Sequence, residues 1–432
     1  MLSRLAIGII PVALLLVPHQ ARAGKDFDTL HEVIRHFQVA FVDRPNMGAL
    51  LTGALQGVKK AAPKCEIRIL PHPSLYEVKA KGKSVKITKD AIRSYPKLEK
   101  ALIRVGRLVE GQKLARSHRA LEHAMIREMV MNCGDHWSVF LEENLYQRLL
   151  DDGSGKTGDA GLLVEPRGEI MRVLDVTPDS PAAKAGIRVG DKVSKIAGRT
   201  AGQLNEMEAL ALMRGPIGKK VTVVVAGKSH KLDFAPPPKR NIDVFPPVDG
   251  IARVHLMNFR AGTGRRLAGV LKKLSAMEMK ALILDLRGNP GGLVTEGTEV
   301  AGLFIKGGKV VSVVSRKHMR TEVEQSPRPG PYRKLPLVLL VDHRSASVSE
   351  IVTMALKDYD RAKIVGEKTL GKGTVQVVME LMDGSALKLS TGRYYSPRGT
   401  PLYEGIEPDV EVEWNGQGKD PQLQRAKMLL KK

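Results

Sequence analysis

Leu335-Pro-Leu-Val-Leu-Leu-Val341-Asp-His-Arg-Ser345-Ala-Ser347-Val-Ser349-Glu350-Ile-Val-Thr-Met-Ala-Leu-Lys-Asp-Tyr359 is the stretch on which the reading of this chain turns. Its first part is a nearly continuous apolar run of strand length, as expected of a strand covered on both faces. A short polar turn follows, then apolar residues at helical spacing from about Ser347 to Tyr359. A hydroxyl at such a strand-to-helix turn is lifted out of the sheet. It stands beside the free N–H groups and positive dipole end of the helix. Ser347-x-x-Glu350 also fits a capping box, with Ser345 as an alternative cap, so the turn by itself does not establish chemistry.

Working outward, the region from Asp249 alternates strand and helix. Strands are expected at Ile251–Phe259, Ala281–Leu286 and Val310–Ser315, and helices at Arg265–Ser275 and Leu293–Ile305. That alternation predicts an α/β core with a mixed, largely parallel sheet. Upstream, 159–234 reads as a small compact unit. It has strands at Leu162–Glu165, Ile170–Val176, Asp191–Ile196 and Val221–Val225, a short helix at Ser180–Ala185 and another at Glu206–Met213. The Gly- and Ser-containing stretch 151–158 and Pro236-Pro237-Pro238 bound it as joints. Residues 24–150 are mostly helical by period, as at Leu30, Val33, Ile34 and Phe37. A basic, strand-like insert interrupts them at about Ile67–Lys100.

Met1–Ala23 has the form of a secretory signal: Arg4, then the apolar run Leu5–Val17, then Ala21-Arg22-Ala23 as the cleavage site. The mature protein is therefore expected to be exported, to the periplasm or cell envelope. The expected organisation is a signal peptide (1–23), an N-terminal helical region (24–150), a small domain (155–235) and an α/β core (236–432). Export leaves open whether Cys65 and Cys133 are bridged.

With 43% hydrophobic and 27% charged residues, the 432-residue chain is not a disordered, collagen-like or polytopic membrane protein. Its formal charge of +23 favours loose contact with anionic envelope surfaces. Aromatics at 4% supply no broad base-stacking platform, and no nucleic-acid partner is expected. His31 and His36 resemble a zinc helix, but their spacing turns one away from the other, and His118 and His123 share the fault. Gly366-Glu-Lys-Thr-Leu-Gly371-Lys372 resembles a phosphate loop, yet Gly373 replaces the metal-binding hydroxyl and a strand pattern follows where a helix is required. No metal and no organic cofactor are expected.

Lys372 lies in Gly371-Lys372-Gly373, read as a hairpin between strands Ala362–Val365 and Thr374–Leu381. Flanking glycines allow close backbone packing and an inward amine. Burial favours the neutral amine, which can take a proton from a serine. Gln376 shares a strand face with Thr374 and Lys372 by period two and is placed to orient the lysine. The Gly291-Gly292 turn offers close backbone N–H groups that, with that of Val348, would form an oxyanion hole.

Together these residues resemble the carboxy-terminal processing proteases, the tail-specific serine peptidases of the S41 family. The matching pieces are Ser345-Ala-Ser347-Val-Ser349-Glu350, Thr369-Leu-Gly371-Lys372-Gly373-Thr-Val375-Gln376, Leu284-Asp285-Leu286-Arg287-Gly288-Asn289-Pro290-Gly291-Gly292-Leu293, and Gly392-Arg393-Tyr394-Tyr395-Ser396-Pro397 with Gly405-Ile406-Glu407-Pro408-Asp409. The resemblance implies a Ser–Lys dyad of Ser347 and Lys372, with Gln376 beside the lysine. It implies an oxyanion hole of Gly291 and Val348, and a serine endopeptidase cutting near protein C-termini through an acyl-enzyme. Residues 159–234, with Ser180-Pro181-Ala-Ala-Lys-Ala-Gly186-Ile187-Arg-Val-Gly190-Asp191, resemble a β-sandwich-like PDZ domain. That domain would bind substrate tails and gate the active site, with Gly161, Leu162 and Leu163 as the carboxylate loop. Proteins with free C-termini are the expected partners, and the resemblance leaves room for an adaptor protein. The alternative is a non-catalytic PDZ-type peptide-binding protein on the same fold.

Four features depart from the family pattern. Val348 stands where alanine is usual, Asp135-His136-Trp137-Ser138 lacks a proline, the insert after Cys65 is not usual, and an aspartate some descriptions add to the dyad would fall on Asp358, far down the helix.

Overall fold

The computed structural model describes residues 26–70, 74–150, 156–236, 240–316, 321–414, 416 and 418–431. The signal-like segment Met1–Ala23 and most of the 151–158 joint lie outside them. The described residues form two compact units: one comprises 240–375 and 392–431, the other 26–236 and 376–391.

The first unit is the expected α/β core. Its sheet has six strands in the order Ile242–Val248, Ile251–Leu256, Ala281–Asp285, Leu337–Val341, Lys363–Gly366 and Val410–Glu411. The first pair is antiparallel and every later pairing is parallel. Ala281–Asp285 and Leu337–Val341 are buried at every position, which explains their unbroken apolar sequence. Helices Thr263–Ala276, Val294–Gly302 and Val348–Asp358 bury their apolar stripes against one another and the sheet, through Leu267, Leu271, Val300, Ile351 and Val352. Helix Pro421–Leu430 packs through Ala426 on a second cluster with Ile283, Val338, Leu340 and Val365.

One expectation fails here. Lys363–Gly366 and Thr374–Glu380 do not form a hairpin. Both edges of Lys363–Gly366 are taken by parallel neighbours, Leu337–Val341 and Val410–Glu411. Lys372 therefore lies in a connection leaving the sheet, not at a hairpin tip.

In the second unit, helices Asp28–Val39, Met47–Ala61, Tyr95–Gly111 and His118–Met131 share a core with Leu30, Val33, Ile34 and Phe37. The basic insert is an antiparallel meander of Glu66–Ile69, Ser74–Ala80 and Lys83–Thr88, which buries Val78 and Ile87 in the same core. Cys65 and Cys133 are both free and buried. Burial pushes the Cys133 thiol up to about 12 and raises that of Cys65, so neither has the character of a reactive thiolate. The histidines set aside as zinc ligands have other partners: His31 contacts Glu99 at 2.7 Å and His123 contacts Asp383 at 2.5 Å.

The small domain's sheet runs in the order Lys228–Asp233, Lys220–Val225, Lys192–Ile196, Ile170–Val176 and Leu162–Arg167. Ser180 caps helix Pro181–Lys184, and Asn205 with Glu208 forms a full capping box on Glu206–Leu212.

Close helix packing in this unit depends on glycine. A Cβ on Gly57 would fall 2.1 Å from the Ala124 carbonyl oxygen, and one on Gly53 would fall 2.4 Å from that of Glu128. Both obstacles are main chain and cannot swing aside. Gly57→Ala is therefore expected to lower unfolding free energy by about 1–3 kcal/mol despite alanine's better helix propensity. Gly111→Ala, where a Cβ meets nothing within 4 Å, is the matched control and should be neutral or slightly stabilising. Urea titration of the two variants checks this.

Candidate active site

Two turns of the core unit are stitched side by side at the C-terminal ends of adjacent parallel strands. The turn after Ala281–Asp285 offers the Gly288 N–H to Asp342 Oδ1 at 2.9 Å. It also receives the Ser345 hydroxyl on the Leu286 carbonyl at 2.8 Å. Asn289 is fully buried, and its carbonyl accepts both the Ala346 N–H at 3.0 Å and the Ser349 hydroxyl at 2.8 Å. Its Nδ2 donates to the Leu256 carbonyl at 2.7 Å. Asp342 is gripped by Arg344 at 2.9 Å. Burial opposes ionisation of that carboxyl, but the Arg344 charge and the Gly288 and Arg344 donors outweigh it, and its pKa lies below the ordinary value.

This framework separates the three serines at the helix start. Ser345 and Ser349 are wholly buried and commit their hydroxyls to main-chain carbonyls. Ser347 is half-buried, and its hydroxyl makes no cap hydrogen bond. The capping box is present, with Glu350 Oε2 accepting the Ser347 N–H at 2.8 Å and the Ser347 side chain facing the Glu350 backbone N–H without a cap hydrogen bond. Ser347 has φ 56° and ψ −113°, instead of the extended backbone of an ordinary N-cap. A non-glycine residue there is strained by about 1–3 kcal/mol, the kind of strain that surrounding contacts must hold in place.

Glu350 supplies that hold. Its side chain is fully buried and takes four hydrogen bonds. Oε2 accepts the N–H of Ser347 at 2.8 Å and of Lys372 at 2.9 Å. Oε1 accepts the N–H of Gly371 at 2.7 Å and the hydroxyl of Thr369 at 2.6 Å. Burial raises the Glu350 carboxyl above its usual range, opposed by these four donors. One carboxylate oxygen thus joins the backbones of the two residues that sequence reasoning paired, Ser347 and Lys372.

Lys372 is half-buried, less enclosed than expected. Its glycine neighbours behave as anticipated. A Cβ on Gly373 would fall 2.3 Å from the Tyr403 nitrogen, and one on Gly371 would fall 3.0 Å from Tyr403 oxygen and Gly405 nitrogen. The loop that resembled a phosphate cradle directs the N–H groups of Gly371 and Lys372 at the protein's own carboxylate, Glu350.

Gly291, at φ 102°, lies directly against the helix start: a Cβ there would fall 2.9 Å from each of Ser347 Cβ, Val348 nitrogen and Ala346 oxygen. Its N–H, however, donates to Asn289 Oδ1 at 2.9 Å and is not held ready for an oxyanion. Val348 is buried, with a methyl occupying the place where a Cβ on Gly297 would stand, so the bulk that replaces the usual alanine is housed in the core and not in the site. Asp358 accepts the Arg398 N–H at 2.8 Å and takes no part in the Glu350 network.

Gln376 begins the segment belonging to the other unit, where its Nε2 donates to Ser390 Oγ at 3.3 Å. In the small domain, Gly161 at φ 83° packs on Ser180, its N–H donates to Asp159 and its carbonyl accepts the Thr177 N–H at 3.0 Å. Leu162 and Leu163 open the edge strand Leu162–Arg167, paired with Val176 and Asp175. Among the described residues the outer edge of that strand pairs with nothing, and helix Glu206–Leu212 lies beside it. A cleft of about 990 Å³ lies on helices Met47–Ala61 and His118–Met131 and is lined by none of these residues. Among the described residues no group of three or more His, Cys, Asp or Glu is placed to hold a metal.

Comparison with known proteins agrees with this architecture. Residues 250–412 match the model of peptidase family S41, and 172–227 that of a PDZ domain. A carboxy-terminal-processing protease of Bartonella bacilliformis is 33% identical over 312 residues, covering 68% of this chain and 70% of the relative. The chain belongs to the carboxy-terminal processing proteases of peptidase family S41. A carboxyl-terminal-processing protease of Synechocystis sp. is 30% identical over 309 residues, 68% of this chain and 72% of that one. Among solved structures, the photosystem II D1 C-terminal processing protease matches this S41 peptidase with a TM-score of 0.68 at 23% identity, over 94% of this chain and 98% of that one. That likeness bears on the fold.

Glu350→Gln would replace an acceptor oxygen with an NH₂ group facing buried donors. It is expected to lower stability by about 1–3 kcal/mol per donor left unpaired. Denaturant unfolding of this variant beside the wild type, with Thr369→Val as a second removal from the network, measures it.

Proposed function

We propose that this S41 peptidase is an exported serine endopeptidase that cuts protein substrates near their C-termini with a Ser347–Lys372 dyad. The observation that carries the proposal is the Glu350 carboxylate oxygen shared by the N–H groups of Ser347 and Lys372. The uncommitted hydroxyl of Ser347, beside two serines whose hydroxyls are structural, selects the nucleophile. In this reading Ser347 Oγ attacks the scissile carbonyl and Lys372 Nζ takes its proton, then returns one to the leaving amine. The Val348 N–H, at the first turn of the helix, donates to the oxyanion. Gly291 joins it only by exchanging its bond to Asn289. Water hydrolyses the acyl-enzyme on Ser347.

The open edge of Leu162–Arg167, beside helix Glu206–Leu212, supports strand addition by a substrate tail. Gly161, Leu162 and Leu163 lie at the start of that edge. Because the Gly161 N–H already serves Asp159, the tail carboxylate falls to the N–H groups that follow it. Export rests on the signal-like Met1–Ala23, and substrates are exported or envelope proteins with accessible C-termini.

Ser347→Ala and Lys372→Ala should each abolish cleavage of an unfolded protein while leaving capture of its C-terminal tail unchanged. Electrophoretic assay of cleavage and fluorescence polarisation of a labelled tail peptide read the two separately. A Lys372→Ala protein that cuts at the wild-type rate would remove the dyad from consideration. Unaltered tail binding without any wild-type cleavage would favour the non-catalytic peptide binder.

A further inference from the structure

We infer that the end of the core sheet remote from Ser347 is a docking face for an anionic phospholipid surface, formed by turn 248–250, loop 277–280 and the last turn of helix Pro421–Leu430. Such a face is independent of the proposed dyad. Three large apolar side chains stand in solvent there: Val248 is 67% exposed, Met277 53% and Met428 58%, whereas most apolar residues of this unit line its cores. Val248 ends strand Ile242–Val248, Met277 follows helix Thr263–Ala276, and Met428 lies in the C-terminal helix. Polar contacts tie the three segments together. The Gly250 carbonyl accepts the N–H of Lys280 at 2.8 Å and of Ala281 at 3.1 Å, and Lys431 Nζ lies 3.0 Å from Asp249 Oδ2. Leu429 and Leu430 pack on the cluster containing Ile251 and Ala281, the first residues of their strands. The active-site turns leave the other ends of Ala281–Asp285 and Leu337–Val341, so a docked chain presents Ser347 away from the lipid.

Charge selects the partner. Lys272, Lys273, Lys280, Arg425, Lys427 and Lys431 are exposed on these segments, against only Asp249 and Glu278, a surplus of four positive charges. Asp249 is already answered by Lys431. Lys273 precedes Met277 by four residues, one helical step, so an amine and an apolar side chain share a face. Lysines on flexible stems reach lipid phosphates while valine and methionine side chains enter the boundary between headgroups and acyl chains. A second copy of the chain would bring the same positive surplus against itself, which opposes a symmetric contact through this face. Strand addition beside Val248 is opposed as well, because Pro246 and Pro247 carry no N–H to offer at that edge.

Sedimentation with sucrose-loaded vesicles tests this, using the chain from Gly24 onward so that the apolar leader plays no part. At low salt the chain should sediment with equimolar phosphatidylglycerol and phosphatidylcholine vesicles, and far less with phosphatidylcholine alone. Val248→Ser, Met277→Ser and Met428→Ser combined should weaken that partitioning by roughly tenfold. Lys273→Gln with Lys280→Gln should weaken it by roughly tenfold too. Lys81→Gln with Lys83→Gln, two exposed lysines of the other unit, should leave it unchanged. Thermal unfolding monitors the fold, and Met277→Ser and Lys273→Gln alone replace any combined variant that fails to fold. No sedimentation with the anionic vesicles overturns the inference, and so does binding that the serine substitutions leave intact. An equal loss in the Lys81 and Lys83 variant would assign binding to net charge alone and overturn it as well. Self-association of the wild type that the serine substitutions abolish would give the face to a second copy instead.

Discussion

A single desolvated carboxylate holds this core together at the point where chemistry is proposed. A buried ionised group is costly to keep unless its lone pairs are satisfied. Glu350 meets that condition with three main-chain N–H groups and one hydroxyl, drawn from Ser347, Thr369, Gly371 and Lys372. Because the donors come from two segments, satisfying the charge also fixes where the segments lie. The same contact offsets the positive φ at Ser347. The residue that looked like half of a helix cap is thus the joint between the proposed nucleophile and the proposed base.

Much of this was legible in the sequence. The unbroken apolar runs at Ala281–Asp285 and Leu337–Val341 announced buried parallel strands, because a strand covered on both faces has no polar face to show. The turn into helix Val348–Asp358 followed from the change in period. The glycines around Lys372 were read as sites of close backbone approach, and Tyr403 and Gly405 are the backbone they approach. Ser347 could be chosen from three serines only through its resemblance to a known motif. The structure adds a physical reason, the commitment of Ser345 and Ser349 to carbonyls.

What escaped sequence reading is what depends on partners remote along the chain. The donors to Glu350 include residues 19 to 22 positions away. Periodicity reports which face is apolar, not which buried acceptor a loop N–H will find. The hairpin expected around Lys372 failed for a related reason: two adjacent strand patterns suggest pairing, but nothing local reveals that Lys363–Gly366 already has neighbours on both edges. Gly291 lies against the helix start, yet the acceptor that takes its N–H is a side chain two residues away, Asn289. The added bulk of Val348 could not be placed without knowing that Gly297 leaves room for it.

The order and spacing of the four motifs then acquire a mechanical explanation. The turn at Leu286–Gly292 accepts the Ser345 and Ser349 hydroxyls and presses Gly291 against Ser347, so it backs the helix start. The helix start supplies Glu350, which pins Thr369–Lys372. Thr369 in turn accepts the Ile406 N–H at 2.7 Å, and Gly371 and Gly373 lie on Tyr403–Gly405, so the C-terminal motif backs the lysine segment. Each motif supplies the surface or the acceptor that the next one needs. A change in any of them propagates to Lys372 through hydrogen bonds that have no water to replace them, because Thr369 and Glu350 are both buried. Residues far apart in the chain and without direct contact with a substrate are therefore as tightly constrained as the serine and lysine themselves.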